Sequence, residues 1–430
     1  MKIRIVVTVL LLIALSFAAC TPGKNEVTAT VDTAEASAAP AASQEAAIET
    51  IQGWDFDNRF GGGQGSVVET EDAYYYTAPG GAYLYYYDKA SGERGVLCGK
   101  PECVHDAEKQ NTRCNGYVSI MGTLGYWDDR LHFLTYYPGE NGKNFADLSV
   151  KLDGSDRRAD MSTDLKIGSV YYTPQRLDYH HGKLYGWCKT ETVHGGVPAN
   201  ETCILCMDPK TGELKKVYSV ESDFHYSDPT LFYAGQYVYF YLEHFDKTDN
   251  DWITYLEIRR YNIDTEEIED LFISREEGFL GSGTHMWVES EDLIYLMPQY
   301  YLDDNPSRLY QISDGALSVA FDFETDGIGS ISNGVVRVLN PIKHHMEVRR
   351  IDGSVLYSGA WELDSLRELL SGAETEYYIN NGSMYGTENE LLVSLDLWEK
   401  NGRRHCCCLA KWDLTEDMPQ AIVLACDPRK

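Results

Sequence analysis

A strand-like segment that opens with a turn residue recurs seven times along the chain. The segments are EDAYYYT from 71, DDRLHFLT from 128, HGKLYGW from 181, GQYVYFY from 235, EDLIYLM from 291, SNGVVRV from 332 and ENELLVS from 388. Their turn residues lie about 55 residues apart, except for one step of about 41 between Asp292 and Asn333. A near-regular period of this length is typical of a protein built from one structural unit copied several times.

Each of these segments is followed by a second strand, a turn and a third strand. Examples are YLYYYDKASGE from 83, CILCMDPKTGE from 203 and VRRIDGS from 348. Asp and Gly at these turns tolerate the positive φ values that tight hairpins need. Each unit therefore holds about four strands, and seven such units predict an all-β chain folded as a β-propeller of seven four-stranded blades.

Two observations leave the details of the ring open. The short step before Asn333 is consistent with an insertion instead of a blade, so six or eight blades are the alternatives to seven. The first blade could also take its closing strand from the C-terminus.

The only short helix candidate is SLRELLSGA, near residue 365. Aromatic residues make up 12% of the chain, with 31 tyrosines, which suits half-buried blade faces.

The N-terminus has the pattern of an export signal. Lys2 and Arg4 precede an apolar stretch from Ile5 to Leu15, and small residues follow before Cys20. This stretch is too short for a spanning helix. The ending FAAC resembles the lipobox of bacterial lipoproteins, although Phe17 stands where that family usually has Leu. The resemblance implies a signal peptide over 1–19 and lipidation of Cys20; the alternative is plain cleavage before an ordinary cysteine.

Residues 20–52 lack the apolar side chains that a folded core needs. They are rich in Ala, Ser, Thr, Pro and Glu, so they predict a disordered tether, with a single propeller domain over 53–430. The net charge of −30 disfavours contact with nucleic acid or anionic lipid. We therefore expect membrane attachment through the lipid on Cys20, at the extracytoplasmic side of the cell membrane, and no nucleic-acid partner.

One segment concentrates metal-binding side chains. LCGKPECVHDAEKQNTRCNGY, from 97, contains Cys98, Cys103, His105 and Cys114 in the connection between the first two predicted blades. Three thiols and an imidazole suit a structural zinc ion. A disulfide loop is the alternative, because exported thiols tend to oxidise, and unpaired structural thiols are the third possibility. In each case the predicted role is structural.

The other cysteines are expected to be structural. Cys203 and Cys206 are three residues apart on a predicted strand, so their side chains should point to opposite faces. Cys188 lies in the preceding strand of the same unit, where it could lie across from one of them. Buried cysteine acts as a small apolar side chain.

Common enzyme motifs are missing from the sequence. There is no G-x-S-x-G, H-E-x-x-H or P-loop motif. We therefore predict a binding or scaffold module for a glycan, peptide or protein partner, without a catalytic residue. The alternative is an extracytoplasmic hydrolase or lyase acting on polysaccharide in the central channel. That enzyme would need two carboxylates, or a histidine with a carboxylate, converging at the ring axis with shifted pKa values.

The lipobox, the tether and Tyr-rich repeats such as YLYYYDKASGE together carry a family resemblance. The chain resembles the β-propeller lipoproteins of Gram-positive bacteria, which are related to the propellers of low-density-lipoprotein-receptor-related proteins or to TolB-like propellers. The cysteine segment is similar to one found in many of these lipoproteins, where its role is unassigned. The resemblance implies a lipid-anchored propeller, and the ligand is left open.

Overall fold

The computed structural model describes most of the chain from Val67 onward. The described ranges are 67–77, 82–105, 111–118, 122–139, 142–194, 197–222, 228–247, 252–274, 283–299, 307–340, 342–361, 377–399, 404–416 and 419–428. The predicted signal peptide, Cys20 and the tether lie outside these ranges, as does the helix candidate near 365. Within the ranges, no helix is long and apolar enough to cross a membrane.

The described residues form seven four-stranded sheets, and each sheet consists of four strands consecutive in the chain. The first three are β1 Val67–Glu69, β2 Ala73–Thr77, β3 Leu84–Asp88 and β4 Arg94–Val96; β5 Gly122–Trp127, β6 Arg130–Gly139, β7 Gly142–Lys151 and β8 Arg158–Asp164; and, after a short hairpin of β9 Lys166–Ile167 and β10 Val170–Tyr171, β11 Arg176–His180, β12 Lys183–His194, β13 Val197–Met207 and β14 Leu214–Ser222.

The other four sheets follow the same plan. They are β15 Thr230–Ala234, β16 Tyr237–Lys247, β17 Trp252–Asn262 and β18 Ile268–Ser274; β19 His285–Ser290, β20 Leu293–Met297, β21 Arg308–Ser313 and β22 Ala316–Asp322; β23 Ile328–Ser332, β24 Val335–Asn340, β25 His345–Arg350 and β26 Val355–Ala360; and β27 Tyr377–Gly386, β28 Glu390–Glu399, β29 Arg404–Asp413 and β30 Ala421–Pro428. All pairings within the seven sheets are antiparallel.

The predicted turn residues lie between the first and second strands of the sheets. Asp129 and Asn333 have φ values of 56° and 51°, which Asp and Asn tolerate better than most residues. In the second and sixth sheets, local turn chemistry therefore favours the first hairpin of the repeat. The sixth unit, which has the short step before it, is a complete sheet, so the seven-bladed prediction is confirmed and the six- and eight-bladed alternatives are wrong.

The sheets are arranged in a ring with their first strands innermost. First strands of successive sheets contact each other, as β5 contacts β11 and β19 contacts β23. Apolar clusters fill the space between neighbouring sheets; one of them joins Leu84 and Tyr75 of the first sheet to Leu131 and Val150 of the second. Each blade therefore buries its two faces against its neighbours, as the repeat predicts.

The ring closes through side chains. The first sheet holds four strands of its own, so no strand from the C-terminus completes it. Tyr74 and Tyr76 pack with Leu392 and Leu424 of the seventh sheet. The Tyr74 hydroxyl lies 2.9 Å from Glu390 Oε2, and the Tyr76 hydroxyl donates to the Leu424 carbonyl at 3.3 Å. Tyrosine suits this closure because its ring fills the apolar seam while its hydroxyl finds a polar partner.

Three consecutive blades have hairpins that extend past their innermost strands. In the third sheet, β11 pairs with β12 only as far as Trp187, whereas β12 and β13 pair on to His194 and Val197. The β6–β7 and β16–β17 hairpins extend in the same way beyond β5 and β15. Because neighbouring strands are antiparallel, these hairpins leave their sheets at the same end as the connections between blades. We call the described residues of 136–145, 188–203 and 242–257 the projecting hairpins.

Candidate functional site

The four predicted metal-binding residues lie between the last strand of the first blade and the second blade. Leu97, directly after β4, donates its backbone N–H to the Leu84 carbonyl at 2.8 Å. On the other side, the Gly99 N–H donates to the Gly154 carbonyl in the β7–β8 turn at 2.9 Å. Tyr117 forms an isolated bridge with Tyr83, and the first strand of the second sheet starts later, at Gly122. The segment is thus the connection between two blades, as expected.

The structure brings all four side chains together. One ligand atom from each of Cys98, Cys103, His105 and Cys114 lies within 4.8 Å of all the others. Cys114 is fully buried, and the other three are half-buried. All three cysteines carry free thiols. A Cys/His cluster with the donor set of a structural zinc site is therefore present.

Hydrogen bonds from Asn111 hold the loop around this cluster. The Asn111 amide donates to the His105 carbonyl at 3.1 Å and lies 3.6 Å from the Cys103 sulfur, while the His105 N–H lies 3.4 Å from the same sulfur. His105 has a φ of 53°, which places its backbone in the left-handed region. Its Nδ1 is buried and has no hydrogen-bond partner among the described residues. An unpartnered buried nitrogen beside three sulfur atoms fits a metal ligand.

The thiols of Cys98 and Cys114 differ in acidity. Burial alone would raise the pKa of Cys98, but hydrogen bonds, chiefly from the backbone N–H groups of Lys100 and Asn115, lower it to about 7. Burial raises the pKa of Cys114 to about 12, and its sulfur neighbours add to this effect. The backbone therefore prepares Cys98 for the thiolate form that a metal requires.

A second cluster was not expected from the sequence. His132 Nδ1 lies 3.0 Å from both carboxylate oxygens of Asp147 and 4.0 Å from Asp160. The Trp127 ring stacks on the His132 ring at 3.8 Å. His132 Nδ1, the ring nitrogen that faces both carboxylates, is hydrogen-bonded to Asp147, and His132 Nε2 is buried without a partner in the described part of the chain. The structure therefore shows a buried His–Asp hydrogen bond in the second blade, beside a second carboxylate.

A third group lies on the innermost strands. Arg176 Nε is 2.7 Å from Asp178 Oδ2, and the Tyr233 hydroxyl on the next blade donates to the same carboxylate at 3.1 Å. Burial raises the pKa of Asp178, and Arg176 offsets part of that rise. On the following blade, burial and then the charge of Arg176 lower the pKa of His285 to about 4. A carboxylate and a histidine with shifted pKa values thus lie near one arginine, as the enzyme alternative requires, but the carboxylate is already engaged.

Comparisons with known proteins find distant structural likenesses. No family model and no curated protein matches the sequence. A puromycin-hydrolyzing peptidase from Mycobacterium tuberculosis is 12% identical with a TM-score of 0.44, over 83% of this chain and 52% of the peptidase. The ulvan lyase of polysaccharide lyase family PL25 is 11% identical with a TM-score of 0.44, over 86% and 97%. A nidogen/laminin complex chain is 6% identical with a TM-score of 0.34, over 67% and 93%.

These likenesses are too distant to transfer an activity. The chain spans about half of the peptidase it resembles. The seven four-stranded sheets establish the propeller fold, and the site must be argued from its own residues.

Proposed function

We propose that this chain is a lipid-anchored extracytoplasmic propeller that acts as a binding or scaffold module for a glycan, peptide or protein. The observation that carries the binding role is the set of projecting hairpins on three consecutive blades. At the opposite end of these sheets, the connections between strands have two to six residues. Long connections on a rigid scaffold are where binding residues concentrate. The signal pattern and Cys20 support the anchor.

A binding experiment on the full chain tests this role. The probes are immobilised peptidoglycan and a panel of polysaccharides, and the variant replaces residues 191–200 of the β12–β13 hairpin with a two-residue turn. We expect binding by the unchanged chain and its loss in the variant. The matched control is Lys210→Ala, in the turn at the other end of the same strand, which should bind normally. Equal binding by all three proteins would contradict a role for the projecting hairpins.

The anchor is tested separately. We expect the chain to incorporate a labelled fatty acid and to partition into the detergent phase, and Cys20→Ser to do neither. Cys98→Ser is the control, because Cys98 lies in the propeller. Incorporation into the Cys20→Ser variant would contradict the proposed lipidation site.

We also propose that the Cys/His cluster holds one structural zinc ion. Tetrahedral Zn²⁺ takes sulfur ligands at about 2.3 Å and nitrogen at about 2.0 Å, so its ligand atoms lie within about 4 Å of one another. The four ligand atoms already lie close to this spacing. Bound metal would join the end of the first blade to the loop that contacts the second blade, and it would satisfy His105 Nδ1.

Metal analysis of the full chain, purified without chelator, tests the zinc proposal. We expect about one zinc per chain, lost in Cys103→Ser together with thermal stability. Cys206→Ser, at a buried cysteine outside the cluster, should keep the metal. With the thiols assigned by peptide mapping, absence of metal with two of the three cluster thiols blocked would indicate the disulfide alternative. Absence of metal with all three cluster thiols reactive would indicate unpaired thiols.

The enzyme alternative has one observation in its favour, the group of Asp178 and His285 around Arg176. A catalytic role predicts that incubation with a polysaccharide releases new chain ends, and that His285→Gln stops the release. Binding without shortening of the glycan would exclude this alternative for the glycans used.

A further inference from the structure

Two buried cysteines lie directly opposite each other in the third blade. Cys188 on β12 is the cross-strand partner of Cys203 on β13. Both residues are fully buried, and both carry free thiols in this structure. Cys206, on the same strand as Cys203, belongs to the apolar cluster on the other face of the sheet. Cys188 and Cys203 therefore form a pair from which Cys206 is excluded by the pleat.

The backbone geometry at this pair suits a disulfide. Opposed residues of an antiparallel pair have Cα atoms about 4.5–5.5 Å apart. Disulfides form at Cα separations of about 4.4–6.8 Å, so no strand needs to move. The hydrogen bond to Cys203 and then burial raise the pKa of the Cys188 thiol, which agrees with two thiols in contact.

The position of the pair indicates which part of the blade a disulfide would stabilise. Trp187 is the last residue of β12 that pairs with the innermost strand β11, and Cys188 comes directly after it. The pair therefore lies at the base of the projecting β12–β13 hairpin. Beyond it, β12 lacks β11 as a neighbour, so a covalent bond at this point would fix the hairpin where support from the blade decreases.

We propose that Cys188 and Cys203 form a cross-strand disulfide that staples the base of this hairpin. Each thiol loses its hydrogen and one S–S bond forms. The two electrons and two protons reduce a disulfide oxidant such as oxidised glutathione, whose S–S bond is cleaved to two thiols. Because both sulfur atoms are buried in the folded blade, exchange takes place while the hairpin is open.

The bond does not depend on the binding role, although its use in presenting a ligand surface rests on the proposed function. Formation in the cell requires an oxidising compartment, which the proposed extracytoplasmic location would provide. A test with added oxidant separates the two proposals, because it reports the bond wherever the protein is made.

The test uses the full chain purified with reduced thiols. It is incubated with oxidised glutathione in urea below the unfolding midpoint, so that the hairpin opens transiently, then alkylated and digested with trypsin. Cleavage after Lys183, Lys189 and Lys210 gives peptides 184–189 and 190–210, the second of which contains both Cys203 and Cys206. We expect these two peptides to be joined, with a mass lower by two hydrogen atoms than their sum.

Two variants identify the partner of Cys188. Cys206→Ser should keep the link, and Cys203→Ser should abolish it. The proposal is overturned if Cys188 joins Cys206, if both cysteines of the pair are alkylated, or if they carry only glutathione. In the unchanged chain, fragmentation of the linked peptides between Cys203 and Cys206 also shows which of the two is joined and which is alkylated, so a variant that fails to fold does not prevent a decision.

Discussion

A buried histidine on the innermost strand of the fifth blade predicts how the propeller responds to acid. His285 is 7% exposed, and burial followed by the charge of Arg176 lowers its pKa from 6.5 to about 4. Between pH 6.5 and about 4, His285 binds a proton in the unfolded chain but not in the folded chain. Folding stability therefore rises with pH in this window, and it is lost as the pH falls from 6.5 towards 4.

The size of the effect follows from the shift. One pKa unit corresponds to about 1.4 kcal/mol, so a shift of this size contributes about 3 kcal/mol at neutral pH. Replacing His285 with glutamine removes the titrating group and keeps a polar side chain. The free energy of unfolding of the wild type should fall by about 3 kcal/mol more than that of the variant across the window.

Urea unfolding followed by tryptophan fluorescence measures both proteins at a series of pH values. The difference between their free energies of unfolding should be constant above about pH 7, and this constancy is the internal control. The difference should change only between pH 6.5 and about 4. If both proteins lose stability in parallel across the window, His285 is not held neutral by burial and the reasoning is wrong.

Three further predictions concern stability. Arg337 is fully buried and donates to Ser332 Oγ and the Val335 carbonyl. Arg337→Ala leaves a cavity and unpaired acceptors and should cost about 3 kcal/mol in urea unfolding, whereas Arg337→Met fills most of the space and should cost less; equal losses would contradict this. Tyr76→Phe removes the hydrogen bond that closes the ring and should cost about 1 kcal/mol, with Tyr171→Phe, at an exposed position, as the neutral control. Gly154 has a φ of 75°, and a Cβ there would lie 2.7 Å from the Cys98 nitrogen, so Gly154→Ala should lower the melting temperature more than Gly182→Ala, whose φ of 78° is similar but whose Cβ meets open space; equal shifts would show that only the backbone angle matters.

The sequence predicts the ring well because its information is local. Turn residues such as Asp129 and Asn333 set the hairpins, and alternating strand residues then determine which face is buried. The same alternation correctly separates Cys203 from Cys206. The Cys/His cluster was also predictable, because its four ligands lie in one short segment.

The groups missed by the sequence depend on two different features of the fold. His132, Asp147 and Asp160 lie on β6, β7 and β8, and only the register of the second sheet brings them together. The group of Arg176, Tyr233 and His285 comes from three different blades and depends on the position of whole sheets around the ring. Spacing along the chain contains no signal for either feature.

The Cys/His cluster lies directly after the first blade, whose outer and inner strands are short. The first blade has the least sheet to hold it, since β1 and β4 have 3 residues each. Among the described residues, no strand from the last blade completes it. On that side, Tyr74 and Tyr76 pack against the last blade, and Arg94 donates to the Val423 carbonyl. On the other side, the chain that leaves β4 passes at once through Cys98 and contacts the β7–β8 turn. A metal ion bound here would fasten the blade that has the fewest backbone hydrogen bonds of its own. Chelation should therefore increase hydrogen exchange in β1–β4 before it affects the long strands of the third and seventh blades.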